Sequence, residues 1–527
     1  MYCFTKTFYR IGVAALFTGI PATLFSAVPA AQKTALESIY DQMNGTSWYN
    51  QTNWKSGDPC ENNWAHVTCD ASQTNVTGLS LYFINASGSV PNVFNALPAL
   101  TVLSIGGSTI NGFIPGTLYG LTQLKELTIS STQIEGGLPS DIGNLTTLQK
   151  LTISSNQQLS GELPVQLGLL GSLEFLRITY NMFTGTIPAE IGNIATLLTL
   201  DLSDNRLDGD IPPQLTALTH LQSLHLRGGD FYEGNHFTGV IPSNIGNMQD
   251  LVEVALDGNR LTGAIPDGIA SLSHLRMLTL VNNRLEHFPS TFQGMTALEE
   301  LYLGNNLFTD AFPASLATLP NLTQLEIYNT HMSGPLPSVI GNMDQLRILI
   351  LSGNDLNGSI PVTLADMVAI EDIRLGNNHL SGEIPYNIGD LNQTLQAFFV
   401  NGNELEGTIP DAICQLGELV QLSLGSNQLT GGVPSCIGDL NKLFYLDMSS
   451  NFLSGALPDE LRQLIQLNDG DGLRIYLNCG LTSGNSLLTD FIVQKSNIYY
   501  LPAWDTNRTD CPSAGGINPA ILMYLLN

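Results

Sequence analysis

From Leu79 to Asn478 one short unit returns about sixteen times, at a spacing of about 24 residues. Residues 173–188 read LEFLRITYNMFTGTIP, 197–212 read LLTLDLSDNRLDGDIP and 347–361 read RILILSGNDLNGSIP, which gives the pattern LxxLxLxxNxLxGxIP. A unit this short cannot bury its apolar face alone. Neighbouring copies have to stack into one continuous core, so the chain is expected to be a solenoid.

The positions of the unit have separate physical roles. The spacing in Leu173, Leu176 and Ile178 predicts a short strand whose alternate side chains point inward, and one strand per turn builds a long parallel sheet. The Asn that follows, as at Asn181, Asn205 and Asn354, sits where the chain leaves the strand. Its amide can donate to and accept from backbone groups that the bend leaves unpaired. Gly185, Gly209 and Gly358 permit turn torsions that a Cβ resists, and the Ile-Pro step that follows starts an outer, convex segment.

These endings, with IGN segments at 142–144, 191–193, 245–247 and 340–342, resemble the plant-type extracellular leucine-rich repeat family. The resemblance implies an α/β fold: a right-handed leucine-rich-repeat solenoid, curved and twisted into a superhelix, with a concave parallel β-sheet, a second short strand after the Asn turn and disulfide-closed caps. Local departures are Ser108 at the Asn position of repeat two and LEHFP without its Gly in repeat nine.

The ends divide the chain into a signal peptide at 1–30, an N-terminal cap at 31–75, the repeats with a partial last copy at 76–478, and a C-terminal cap at 479–527. Lys6 and Arg10 precede an apolar run that ends in small residues near Ala27 to Ala31, the layout of a secretory leader with cleavage expected near Ala30 or Ala31, an uncleaved N-terminal anchor being the alternative. Residues 34–70 carry an amphipathic helix signal, then Trp48, Trp54 and Trp64, and resemble the N-terminal cap of the same family. The C-terminal cap is expected to be filled by Phe491, Tyr499, Tyr500, Leu501 and Trp504.

Loss of Cys3 with the leader leaves six cysteines. Only residues near in sequence lie near in space in a solenoid, which pairs Cys60 with Cys69, Cys414 with Cys436, and Cys479 with Cys511. Free thiols at Cys414 and Cys436 stay open as the alternative. Sequons at Asn44, Asn50, Asn75, Asn144, Asn321, Asn357, Asn392 and Asn507 map to caps, turns and the outer surface. That at Asn85 falls on the Asn-ladder position and is expected to be buried and unmodified.

The formal net charge is −27, and loss of Lys6 and Arg10 deepens it. Such a chain repels a phosphate backbone, which excludes nucleic acid as a partner. No stretch after the leader has the roughly 20 consecutive apolar residues of a membrane span.

Side chains between the inward leucines project from the concave sheet. Their middle column begins with Ser80, Ser104, Thr128 and Thr152, then gains bulk and charge. Aromatic and Arg residues are enriched at binding hot spots. This makes Tyr302, Glu326, Tyr328, Ile350, Arg374 and Phe399 a first candidate patch, and Phe175, Arg177, Tyr180, His225 and Arg227 a second. An insertion in repeat seven sets Asp230, Phe231, Tyr232 and Glu233 beside the second patch.

The His residues are dispersed, no phosphate loop or nucleophile elbow occurs, and Asn468 to Gly472 lacks the later Glu of a calcium loop. Neither an enzyme, a metal nor a cofactor is implied. The expectation is a secreted recognition module that binds a protein or peptide, less readily a cell-wall polysaccharide, in the manner of a receptor or an inhibitor. The rival is a matrix, cell-wall or ice-surface protein using the Ser/Thr stripe.

Overall fold

The computed structural model describes residues 27–107, 109–229, 234–478, 480–483 and 486–496. The body of the leader, Ser108, Asp230 to Glu233, Cys479, Cys511, Asn507 and the aromatic residues from Tyr499 to Trp504 lie outside them.

Each repeat contributes one strand to an eighteen-stranded sheet. From Val76–Tyr82 onward every strand pairs in parallel with that of the next repeat, mostly leucine against leucine, as Leu151 faces Leu176 and Leu176 faces Leu200, with Val254, Ile373 and Phe398 in the same register elsewhere. Leu173, Leu176 and Ile178 are fully buried, as are their counterparts along the chain. The second short strand forms smaller parallel sheets, the longest of seven strands between Ser87–Ser89 and His236–Thr238. A 3-10 turn then runs along the convex side of most repeats, with Pro before it at Pro139, Pro188 and Pro337. Pro suits that place, since its fixed φ is pre-set for the turn and its missing donor is not needed there.

The Asn ladder is continuous from Asn156, with Thr330 as its one substitute among the described residues. Asn378 is typical. Its Nδ2 donates to Leu351 O (3.0 Å) in the preceding repeat and to Leu375 O (3.0 Å) in its own, while Oδ1 accepts from Leu356 N (3.1 Å). Each Asn therefore fastens the turn before it.

Strand register corrects the reading of Asn85. Leu79 pairs with Leu103, so the residue three places after Leu81, Ile84, occupies the ladder position of the first repeat. Ile84 is buried, whereas Asn85 is exposed at φ 63° and donates to Ser47 O (3.0 Å). Of the other sequons, Asn44, Asn50, Asn144, Asn321 and Asn357 are exposed and Asn392 is half-buried. The Asn75 amide is engaged at both ends, donating to Asp70 Oδ2 (2.8 Å) and accepting from Gln32 Nε2 (3.1 Å). That network, led by the Asn75 bond, holds the Asp70 carboxyl well below the usual carboxylate range.

The first turn is covered by helix α1 (Ala30–Gln42), which buries Ala35, Leu36 and Ile39, and by a ring cluster. Trp54 packs 5.1 Å from both Trp48 and Trp64 and stacks on Tyr40 at 5.4 Å. Each indole N–H finds a carbonyl: Trp48 on Met43, Trp54 on Ala65, Trp64 on Ser56. Val28 is buried too, its N–H on Asp58 Oδ2 (2.8 Å). A cut after Ala27 keeps that contact and a cut after Ala30 loses it.

At the far end α2 (Ser486–Lys495) closes the last turn with Leu488 and Ile492. Lys495 donates to Leu467 O (2.7 Å) and Asp469 Oδ1 (2.6 Å), so a lysine holds the acidic turn at 468–472. Phe491 is partly buried against the core.

Cys60–Cys69 and Cys414–Cys436 are bonded. The second links adjacent outer segments across a separation of 22 residues. Replacing both of its cysteines by Ser is expected to lower stability by about 3 kcal/mol, from the chain entropy that a loop of that length regains, and a denaturant titration measures it.

Candidate functional site

The inner wall is a grid fixed by strand register. Thr152, Arg177, Asp201 and His225 lie side by side in the middle column, as do Tyr302, Glu326, Ile350, Arg374 and Phe399 further along. Both candidate patches are thus contiguous, yet they differ in shape and chemistry.

The N-terminal half is hollow. A trough of about 470 Å³ runs from Tyr82 to Arg227 over a floor of Thr128, Ser130, Thr152 and Ser154. Small side chains make the depth and taller ones make the walls. Tyr82 and Phe83 meet edge to face at 4.5 Å and lie over Gly106 and Gly107 of the next repeat, where a Cβ would come within 2.7 Å and 2.3 Å of their rings. At the other end the charges pair internally: Arg177 with Asp201 (3.1 Å), Arg227 with Asp257 (2.9 Å), and His225 near Glu253 (3.2 Å). Tyr180 is 61% exposed, and Asp204 beside it raises its hydroxyl pKa through charge, with burial and a hydrogen bond adding to the shift. Arg177, Tyr180, His225 and Arg227 line the trough; Phe175, 42% exposed, does not.

The C-terminal half is filled with rings and cations. Arg374 is locked to Asp372 on its own strand (Nε to Oδ1 3.0 Å, Nη2 to Oδ2 2.9 Å), and its guanidinium lies 4.9 Å from the centre of the Phe399 ring. Phe399 stacks on Tyr445 at 6.4 Å, and Arg474 lies 5.4 Å over Tyr445. Ser423, buried between the strands of Phe399 and Tyr445, is small enough to let the two rings meet. Burial first, then the Asp447 charge, push the Tyr445 hydroxyl up to about 12.

Beside this stack is a recess of about 290 Å³ lined by Ile348, Asp372, Ala397 and Val420 among others. Tyr302 donates to Glu300 (2.9 Å), Glu326 accepts from Gln324 (2.6 Å), and the Tyr328 ring covers Gly304, where a Cβ would sit 2.4 Å from it. Residue types alone did not single out Tyr445, Arg474 or Tyr82. Small neighbours mark two of them, Ser423 on the strand next to Tyr445 and Gly106 opposite Tyr82, and none marks Arg474.

Among the described residues no three His, Cys, Asp or Glu side chains converge on a point that could hold a metal ion, and no helix is long and apolar enough to cross a membrane. Family models described as leucine-rich repeat match residues 123–145, 172–194, 196–218, 287–332, 345–367, 418–440 and 442–464. The repeats are leucine-rich repeats.

No curated protein matches the chain in sequence. Among solved structures it is similar to the plant peptide hormone receptor RGFR1 in complex with RGF2, at 29% identity and TM-score 0.68, covering 80% of this chain and 74% of that one. It is also similar to the Arabidopsis receptor kinase HAESA in complex with the peptide hormone IDA and the co-receptor SERK1, at 26% identity and TM-score 0.56, covering 86% of each chain. A leucine-rich repeat protein of Leptospira interrogans reaches 29% identity and TM-score 0.60, covering 74% of this chain and 94% of that one.

Proposed function

We infer that the chain is an exported recognition module whose concave wall holds an extracellular peptide or protein segment, with its C-terminal half supplying the anchors. The observation that carries this reading is the stack Arg374, Phe399, Tyr445 and Arg474 beside the recess at Ile348 and Val420. Rings and guanidinium groups held by their own neighbours meet a ligand without further ordering cost, and residues of these types dominate binding energies. The peptide complexes among the similar structures favour the same reading.

The rival, adhesion to ice or to a flat polymer face, finds less support. Thr128 and Thr152, half of the Ser/Thr stripe, line a trough together with Tyr82 and Tyr180 instead of standing alone on the sheet.

The test is selection of a phage-displayed library of random linear peptides on the purified chain. Selected peptides are expected to lose about 30-fold or more in affinity when Phe399 and Tyr445 are both replaced by Ala. Unchanged affinity would remove this wall from the proposal.

A further inference from the structure

We propose that the N-terminal trough binds a neutral linear oligosaccharide, separately from any peptide on the C-terminal half. One argument comes from the lining. Its floor carries the hydroxyls of Thr128, Thr152, Ser130 and Ser154, the last two bonded to each other at 2.7 Å, and hydroxyls both donate and accept. A polyhydroxylated ligand matches such a floor.

A second argument comes from the backbone. The residue before most ladder positions adopts a left-handed conformation, and that place is held mostly by small or turn-forming residues such as Ser131, Ser155, Asp204, Gly258, Asn282, Asn305 and Asn329, with Leu477 a bulky exception near the C-terminal end. Tyr180, at φ 54°, stands there as a large, exposed ring that lines the trough; Phe83, also at φ 54° and exposed, lies outside the lining. A bulky residue at positive φ costs stability, and such strain is retained chiefly at ligand sites. Asp204 lies beside the Tyr180 hydroxyl, and the exposed ring offers an apolar face to the C–H face of a pyranose.

Charge and length narrow the ligand. Arg177 and Arg227 are neutralised by Asp201 and Asp257, in a chain of net charge −27, so the trough offers nothing to an anionic uronide. From Tyr82 to Tyr180 are four strand steps, about 19 Å, roughly the length of four linked pyranose rings.

The experiment uses the full exported chain on an array of neutral glucan, xylan and mannan oligosaccharides, with oligogalacturonides as the anionic control, followed by calorimetry. Neutral oligosaccharides of about four to six rings are expected to bind. Tyr180→Asn, which keeps a residue at home in the left-handed region, should weaken them about tenfold without lowering the unfolding midpoint. Thr152→Val should weaken them too. Binding of no neutral saccharide, preference for the uronide, or indifference to Tyr180→Asn each overturns the proposal. Peptides selected on the other half should ignore Tyr180→Asn, so the two readings fail independently.

Discussion

Replacing Trp64 by Ala is expected to lower the free energy of unfolding by about 4 kcal/mol, the largest effect of any single change considered for this chain. Trp64 is 1% exposed, packs at 5.1 Å on Trp54, and spends its indole N–H on Ser56 O (2.9 Å). Truncation removes that packing, leaves the Ser56 carbonyl without its donor, and loosens the ring cluster above the first strand. In a stacked array the loss begins at the end turn, because each turn leans only on its neighbours. Hydrogen exchange should therefore accelerate in the strand amides of 76–106 while those near 350–400 stay protected. Uniform loss of protection along the chain would contradict this account of the cap.

A second large effect is expected in mid-array. Asn378→Leu, although apolar and similar in size, should cost about 3 kcal/mol. The side chain is 6% exposed, and its amide satisfies Leu356 N on one turn and the carbonyls of Leu351 and Leu375 on two. A leucine leaves the buried Leu356 N–H without a partner and removes one of two donors from each carbonyl, since Leu351 O keeps Asn354 and Leu375 O keeps Asn403. Asn378→Thr should cost less, since Thr330 fills the equivalent place with its hydroxyl on Asn354 Oδ1. Denaturant titration of the two variants measures the difference, and equal losses would mean that packing rather than hydrogen bonding sets the ladder.

The wall itself was legible because two periods, that of the strand and that of the repeat, determine which side chains face inward. The column from Thr152 through Arg177 to His225 lies where the pattern puts it. What the pattern left open was depth. A search for aromatic and Arg residues finds protruding groups such as Tyr302 and Arg374, whereas a trough is made by what is small. Thr128 is legible only as part of the Ser/Thr stripe and Ser130 and Ser154 not at all, and these three form the floor. The stack of Phe399 on Tyr445 depends likewise on a small neighbour, Ser423. Asn85 was misplaced by one position, because the first turn carries Ile84 where later turns carry Asn.

Every ladder Asn reaches backward: Asn205 holds Ile178 O, Asn403 holds Leu375 O, Asn478 holds Met448 O. A coil emerging from the ribosome is thus locked one turn late, each loop staying unlatched until its successor has been made. Growth from the N-terminus can proceed in order of synthesis, but a chain stopped anywhere along the way ends in one open latch. That makes the last latch, Asn478, and the short helix beyond it the step on which completion of the whole spiral depends.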